Sequence, residues 1–236
     1  MNKLAPRMAT ERTPGCVLRP VVALDIDGTL FNWHDDFLQF AWRWLHGRHL
    51  IPREDWFMLR DGQSMARHLG VTKEKYRECK LAYRQSGLKR DLQAFPGAHE
   101  LVRAVREAGA EVWVCTTRPY LRLDNIDPDT RELLERNNLQ VDGVIFGDNK
   151  YRDLTEMVGA ERVVGVLDDL PEMVIEAYHH GLPVRLIERH HNQEWWKSDG
   201  KWVEKGLGWS SLRHLPAAQE WLLAEIKEWK ATNDVR

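Results

Sequence analysis

Four short apolar runs, each followed by a cluster of polar residues, constrain the fold of this chain more than any other feature. Their length and apolar character predict buried strands. Patterns typical of amphipathic helices lie between and after them, and alternating strands and helices form parallel, doubly wound sheets. We therefore predict an α/β fold with a doubly wound parallel sheet. The apolar runs are residues 21–24, 112–115, 143–146 and 163–167, and the helical patterns are residues 98–108, 130–137, 151–158, 171–180 and 216–230.

The chain between the first two runs is too long for a simple crossover. Residues 32–94 are mostly helical in pattern, with Phe37, Ala41 and Trp44 on one apolar face that is typical of a packed core. We interpret this segment as an inserted helical cap. The remaining chain divides into an N-terminal arm (residues 1–19) and an α/β core (residues 20–31 and 95–236), and the sequence assigns no role to a Trp-rich stretch at residues 195–209.

The composition excludes several classes of protein. The 34 Lys and Arg residues against 36 Asp and Glu residues leave a formal charge of -2, so the chain lacks the global basicity of a protein that binds nucleic acid mainly through its phosphates. No stretch approaches the roughly 18 apolar residues of a membrane helix. The three cysteines are isolated, which argues against a disulfide framework or a structural zinc site. We expect a cytoplasmic protein with no membrane partner.

Acidic residues follow the first apolar run, in the segment Asp25-Ile26-Asp27-Gly28-Thr29. Two carboxylates two positions apart at a strand end can converge on one phosphoryl group and one hard cation, although Asp-Gly is also a common turn dipeptide. The carboxyl ends of parallel strands meet at one edge of a sheet, where reactive groups gather. We therefore expect the later polar clusters to lie beside this segment. They are Thr116-Thr117-Arg118, the region of Lys150, and Asp168-Asp169.

In this order the four clusters resemble the four motifs of the haloacid dehalogenase superfamily of phosphohydrolases. The resemblance covers residues 20–187. It implies a Rossmann-like core and a magnesium-dependent phosphomonoesterase that works through an aspartyl-phosphate. Such a covalent intermediate divides one difficult displacement into two easier ones.

The resemblance also implies a role for each motif residue. Asp25 is the expected nucleophile, and Asp27 is the expected acid and base that protonates the leaving alcohol and then takes a proton from water. Gly28 allows close approach of the backbone to the phosphate. The expected substrate-binding residues are Gly28, Thr116, Thr117, Arg118 and Lys150. His190, His191 and Asn192 follow a further strand-like run, but a loop of this kind is more typical of solvent-exposed residues.

The same resemblance predicts a Mg²⁺ site, because magnesium prefers oxygen ligands. Its expected ligands are Asp25, the backbone carbonyl of Asp27, Asp168 and Asp169. Adjacent side chains on extended backbone point apart, so we expect only one member of the last pair to bind the metal directly. The sequence does not indicate which one; the other would hold Lys150 or a coordinated water.

The sequence predicts the substrate less precisely than the reaction. The insert, followed by Ala94-Phe95-Pro96-Gly97-Ala98, resembles the type C 5'(3')-deoxyribonucleotidases and implies a nucleoside monophosphate, with an aromatic wall for the base at Phe31, Trp33, Phe37 and Phe40. Thr116-Thr117-Arg118-Pro119 departs from their Thr-Ser-Pro and resembles the Ser-Gly-Arg of polynucleotide kinase-phosphatases, so the 3' end of a nucleic acid is the alternative substrate. Another small-molecule phosphatase, a non-catalytic binding protein and the oligomeric state stay open.

Overall fold

A six-stranded parallel sheet forms the centre of the protein. The computed structural model describes residues 18–49, 51, 62–119, 123–196 and 210–233. Most of the predicted arm, with Cys16, and residues 197–209 of the Trp-rich stretch therefore lie outside the described residues. Cys79 and Cys115 are buried free thiols. Among the described helices, none combines the length and the apolar character that crossing a membrane requires.

The order of the strands confirms the predicted doubly wound sheet. The order is β3-β2-β1-β4-β5-β6, and each neighbouring pair is parallel. The first strand along the chain thus lies between the second and the fourth, at the topological switch point where such sheets build their sites. The four predicted runs are the first four strands, whereas the last strand was not predicted. The strands are β1 (Val21–Leu24), β2 (Glu111–Thr116), β3 (Gly143–Phe146), β4 (Val163–Asp168), β5 (Val184–Ile187) and β6 (Ser211–Leu212).

Helices follow the strands as the sequence pattern predicts, with some differences at their ends. The predicted helix at residues 130–137 begins earlier, at Ile126, because Asp127 and Asp129 favour the first turn of a helix. The helices are α1 (Trp33–His46), α2 (Gly62–His68), α3 (Lys73–Gln85), α4 (Ala98–Glu107), α5 (Ile126–Arg136), α6 (Lys150–Val158), α7 (Pro171–His179), α8 (Gln193–Trp196) and α9 (Leu215–Asn233), with a 3₁₀ turn at Leu88–Arg90.

Two apolar layers cover the two faces of the sheet. Successive side chains of a strand point to opposite faces, so Val22 and Leu24 pack with α4 and α9, while Val21 and Ala23 pack with α6 and α7. All four side chains are fully buried. The backbone beyond Leu24 therefore emerges at one edge of a rigid, doubly covered sheet.

Residues 32–94, here called the helical insert, contain α1, α2, α3 and the 3₁₀ turn. Phe37 and Ala41 belong to an apolar cluster within this segment, as predicted. Trp44 is 40% exposed, so its prediction as a core residue is wrong. It lies in the last turn of α1, where the Lys75 ammonium sits 4.7 Å from the centre of its ring. The division of the chain into a cap and a core stays a prediction.

Candidate active site

A tight turn follows β1 and carries the first motif. The Gly28 amide donates a hydrogen bond to the Phe31 carbonyl (2.8 Å), and the Phe31 amide donates one to the Ile26 carbonyl (2.9 Å). Gly28 has a φ of +99°, and a Cβ there would lie 2.2 Å from Asp169 Oδ2. Both the backbone angle and the lack of space require glycine at this position. The turn thus brings the backbone against the acid that follows β4.

Three carboxylates meet at this edge of the sheet. One oxygen from each of Asp25, Asp168 and Asp169 lies within 4.8 Å of the other two, and all three residues are buried. The Asp25 amide donates to the Leu167 carbonyl (2.9 Å), which joins the end of β1 to the end of β4. The predicted Asp25, Asp168 and Asp169 are therefore brought together, whereas the carboxylate of Asp27 lies apart from this group.

Lys150 lies between two of these carboxylates. Its Nζ is 2.5 Å from Asp25 Oδ1 and 2.6 Å from Asp168 Oδ2, and it donates to the Cys115 carbonyl (3.0 Å). Burial by itself lowers the pKa of Lys150, but the two carboxylates outweigh burial and raise this pKa above its ordinary value. The ammonium is thus fully buried and charged. The nearby Asp148 is exposed, so Lys150 is the residue of this region that faces the acids.

The electrostatics of the three carboxylates fit a hard divalent cation. Burial raises the pKa of Asp25 well above its ordinary value; Lys150 opposes this effect, and Asp168 and Asp169 add to it. Burial likewise raises the pKa of Asp168. Three buried carboxylates near one ammonium carry an excess of negative charge, which a cation with oxygen ligands would balance. The residues present therefore fit Mg²⁺.

The adjacent Asp168 and Asp169 have different surroundings. Asp168 Oδ2 accepts from the Tyr151 hydroxyl (2.5 Å) as well as from Lys150, and Oδ1 accepts from the Leu170 amide (2.9 Å). Asp169 Oδ1 accepts from Thr29 Oγ1 (3.2 Å). Both oxygens of Asp168 thus accept from protein donors. Asp169 also has a partner at Oδ2, where His191 Nε2 lies 2.6 Å away, but unlike Asp168 it lines the cavity described below.

Asp27 is bound by two cations. Arg118 makes a bidentate contact, from Nε to Oδ2 (2.9 Å) and from Nη2 to Oδ1 (2.5 Å), and Lys89 Nζ also bonds Oδ2. Arg118 is itself fixed by a bond from Nη1 to Thr130 Oγ1 (2.9 Å). Burial raises the pKa of Asp27, but Arg118 and Lys89 outweigh it and hold this pKa well below its usual range. Arg118, predicted to bind substrate, is bound to the predicted acid in this structure.

The threonines after β2 lie in different positions. Thr116 is buried, and its Oγ1 accepts a hydrogen bond from the Arg118 amide (3.3 Å). Thr117 lines the cavity beside the carboxylates. The structure therefore brings Thr117 to the cavity and places Thr116 behind it.

A cavity of about 250 Å³ lies above Asp25, between the helical insert and the edge of the sheet. Its walls combine both parts of the chain, so a bound molecule would contact the insert as well as the motifs. From the predicted site it is lined by Asp25, Asp27, Gly28, Thr117, Arg118 and Asp169, and from the insert by Trp33, His34, Lys80, Tyr83, Arg84 and Lys89.

Residues after β5 complete the site, although the sequence favoured a solvent-exposed loop there. His191 Nε2 lies 2.6 Å from Asp169 Oδ2, and Asn192 Nδ2 donates to the Asp169 carbonyl (2.8 Å). Arg189 donates to the carbonyls of Gly28 (2.6 Å) and Thr29 (2.9 Å) and so fixes the turn after β1. Their position just beyond a strand was the signal that identified the other motifs. Lys89 had no comparable signal.

Comparisons with known proteins support the fold. No model of a protein family matches this chain, and no curated protein matches it. A haloacid dehalogenase-like hydrolase from Streptococcus pneumoniae is 12% identical with a TM-score of 0.58, over 86% of this chain and 98% of that one. A predicted phosphatase from Clostridium acetobutylicum is 14% identical with a TM-score of 0.59, over 88% of this chain and 100% of that one.

A third solved structure, of a haloacid dehalogenase family hydrolase from Deinococcus radiodurans, contains bound phosphate and sodium. It is 18% identical with a TM-score of 0.56, over 87% of this chain and 97% of that one. At these low identities the likeness concerns the fold alone. The chain thus has the haloacid dehalogenase-like fold that its motifs predict.

Proposed function

We propose that this chain is a phosphomonoester hydrolase of the haloacid dehalogenase type, with Asp25 as the nucleophile. One observation carries the proposal: Asp25, Asp168, Asp169 and Lys150 surround one point at the switch edge of the sheet. The phosphate bound to the similarly folded hydrolase from Deinococcus radiodurans is consistent with this chemistry.

In the proposed reaction the carboxylate of Asp25 attacks phosphorus in line with the leaving ester oxygen. A bond forms between the carboxylate oxygen and phosphorus, and the bond from phosphorus to the ester oxygen breaks. Mg²⁺, held by Asp25, the Asp27 carbonyl and Asp169, would neutralise charge on the phosphoryl oxygens. Lys150 favours the ionised form of Asp25 and orients its carboxylate through the 2.5 Å contact. Thr117 and the neighbouring backbone would bind a phosphoryl oxygen.

Asp27 has two tasks in this reaction. It gives a proton to the departing alcohol and later removes one from the water that attacks the aspartyl-phosphate. Arg118 and Lys89 hold Asp27 in its ionised form, which suits the second task. For the first task Asp27 must carry a proton, so at least one of these cations must leave it. An anionic substrate competes with Asp27 for both cations.

We propose that Asp169, rather than Asp168, is the direct metal ligand of the pair. Asp168 accepts from the Lys150 ammonium, the Tyr151 hydroxyl and the Leu170 amide, and it does not line the cavity. The carboxylate of Asp169 contacts the Thr29 hydroxyl and the His191 ring but, among the described residues, no ammonium. Asp169 lines the cavity. Asp168 then fixes Lys150 next to the nucleophile.

The narrower substrate prediction is a nucleoside monophosphate. Of the four aromatic residues predicted to form a wall for the base, Phe31 and Phe37 are fully buried, Phe40 packs against the apolar cluster of the insert, and Trp33 lines the cavity. The Trp33 ring is stacked on Phe37 (5.2 Å) and lies 5.6 Å from the Lys80 ammonium, so a base could stack on it only if Lys80 moved. The 3' end of a polynucleotide is the second prediction, but a cavity of about 250 Å³ beneath the insert favours a small molecule. A screen that includes thymidine monophosphate and a 3'-phosphorylated oligonucleotide would compare them.

The proposed function is tested with Asp25→Asn and 4-nitrophenyl phosphate in the presence of Mg²⁺. We expect wild-type protein to release phosphate and the variant to lose at least about a thousandfold in kcat, as is common when a nucleophile is removed. Asp148→Asn is the matched control, because Asp148 is exposed after β3. Circular dichroism checks that each variant is folded. Equal turnover by wild type and Asp25→Asn would refute the assignment of the nucleophile.

A further inference from the structure

Several cations line the side of the cavity that faces the insert. Lys89 and Arg118 both bind Asp27. Lys80 and Arg84, one helical turn apart on α3, line the same cavity. Lys80 makes no hydrogen bond or ion pair with the residues that the structure describes; its Nζ lies 5.6 Å from the centre of the Trp33 ring and 5.9 Å from that of Tyr76. This ammonium rests on aromatic faces.

The placement of Lys80 is costly for the protein alone. Lys80 is half-buried, and burial, followed by repulsion from Arg84, lowers its pKa to about 8. A charge withdrawn from water without a counterion raises the free energy of the folded state. A bound anion would recover that free energy.

The reacting phosphate, by contrast, belongs beside Asp25 and Asp169. Lys150 supplies the buried positive charge there. Lys80 makes no hydrogen bond or ion pair with these three residues, and its ammonium lies against the rings of Trp33 and Tyr76. The charge of Lys80 is therefore available to a different part of the bound molecule.

We propose that the substrate carries a second anionic group, either a carboxylate or another phosphate, which binds Lys80 and Arg84 on α3 while the reacting phosphate lies at Asp25. This inference rests on the proposed function and names the substrate class of that site. Trp33 holds the Lys80 ammonium by a cation–π contact, so little freedom is lost when the anion binds. Lys80 is then a specificity-determining residue.

The test compares substrates that differ at the remote end. One pair is 3-phosphoglycerate and glycerol 3-phosphate, which tests a carboxylate. The other is thymidine 3',5'-bisphosphate and thymidine 5'-monophosphate, which tests a second phosphate. In at least one pair we expect the more anionic member to have a kcat/KM about tenfold higher or more, the scale of one charge-assisted hydrogen bond. The pair that shows this preference identifies the anion.

Variants of α3 assign the preference to Lys80. Lys80→Met removes the charge and keeps much of the side-chain length, and we expect the ratio of the two kcat/KM values to fall about tenfold, mainly through KM. Lys80→Arg restores a cation and should retain most of the ratio. Lys73→Met is the control for long-range electrostatics, because Lys73 is exposed at the start of the same helix. Thermal unfolding of each variant checks its fold.

The outcomes separate this inference from the proposed function. If wild type hydrolyses 4-nitrophenyl phosphate but prefers neither anionic member, the second-anion site is refuted and the phosphatase stands. The same conclusion follows if Lys80→Met and Lys80→Arg both keep the wild-type ratio, or if Lys73→Met lowers it as much as Lys80→Met. If wild type hydrolyses none of these esters with Mg²⁺ present, the proposed function itself fails.

Discussion

At the residue scale, one buried ammonium holds two acids of the candidate site. Lys150 is fully buried and contacts both Asp25 and Asp168. In Lys150→Met those carboxylates lose their counterion inside the protein, and breaking a buried pair in this way typically costs about 3–5 kcal/mol. We expect a decrease of that order in the free energy of unfolding at pH 8, measured in urea. Lys227→Met, at an exposed position of α9, should change it by less than about 0.5 kcal/mol.

The pH dependence of the Lys150→Met variant tests the cause. Without the ammonium, burial raises the folded-state pKa of Asp25 and Asp168 further above the unfolded value of about 3.9. A carboxyl whose pKa is raised on folding stabilises the protein at low pH and loses that contribution as pH rises. The free energy of unfolding of Lys150→Met should therefore fall further below that of wild type at pH 8 than at pH 5. A difference in this free energy that does not depend on pH would indicate lost packing instead.

Most residues of the candidate site were located from the sequence by one rule, that polar residues follow buried parallel strands. The rule brought Asp25, Asp168 and Asp169 together correctly. The rule did not reveal that Arg118 binds Asp27. A guanidinium can pair with any of several nearby anions, and the packing of the folded chain determines which one it contacts. Lys89 comes from the insert, and only the folded chain shows that it faces the site.

At the element scale, the turn after β1 must pass very close to the loop after β4. In Gly28→Ala the new Cβ would meet Asp169 Oδ2 at 2.2 Å, so the carboxylate has to move. We expect a loss of about a hundredfold in kcat/KM for 4-nitrophenyl phosphate and a higher Mg²⁺ concentration at half-maximal activity, since displacements near 1 Å have effects of this size.

Gly47→Ala is the matched control for Gly28→Ala. Gly47 ends α1 with a φ of +65°, and a Cβ there would have no other atom within 4 Å. Both substitutions place alanine at positive φ, which costs roughly 1–2 kcal/mol, but only the one at Gly28 crowds the site. Similar losses of activity in the two variants would show that backbone strain, not the position of Asp169, is responsible.

The elements themselves could be predicted where their patterns were long or strongly apolar. β1 and β4 are buried along their whole length and appeared as apolar runs. β6 has two half-buried residues, Ser211 and Leu212, and exists through its pairing with β5. Such a strand has no periodicity for a sequence to reveal. The start of α5 was missed because its first turn is polar and contains Pro128.

At the scale of the whole molecule, the candidate metal site joins the ends of β1 and β4, which lie at the centre of the sheet. A cation that binds there binds the folded chain and not the unfolded one. At a concentration 100 times its dissociation constant, such a ligand adds about 2.7 kcal/mol to the free energy of unfolding. For a chain of this size each kcal/mol raises Tm by roughly 2–4 °C. We therefore expect Mg²⁺ to raise Tm by about 5–10 °C relative to protein in EDTA.

Asp169→Asn provides the decisive comparison for this stabilisation. The substitution removes one of three neighbouring carboxylates, so in EDTA it relieves repulsion and should not lower Tm greatly. In Mg²⁺ the Asp169→Asn variant should show little of the rise in Tm, because the direct metal ligand is gone. The Asp148→Asn variant, changed at an exposed position, should show the full rise. An equal increase in Asp169→Asn and wild type would place the cation elsewhere on the molecule. Since Tm is measured without substrate, this result tests the metal site independently of the proposed hydrolysis.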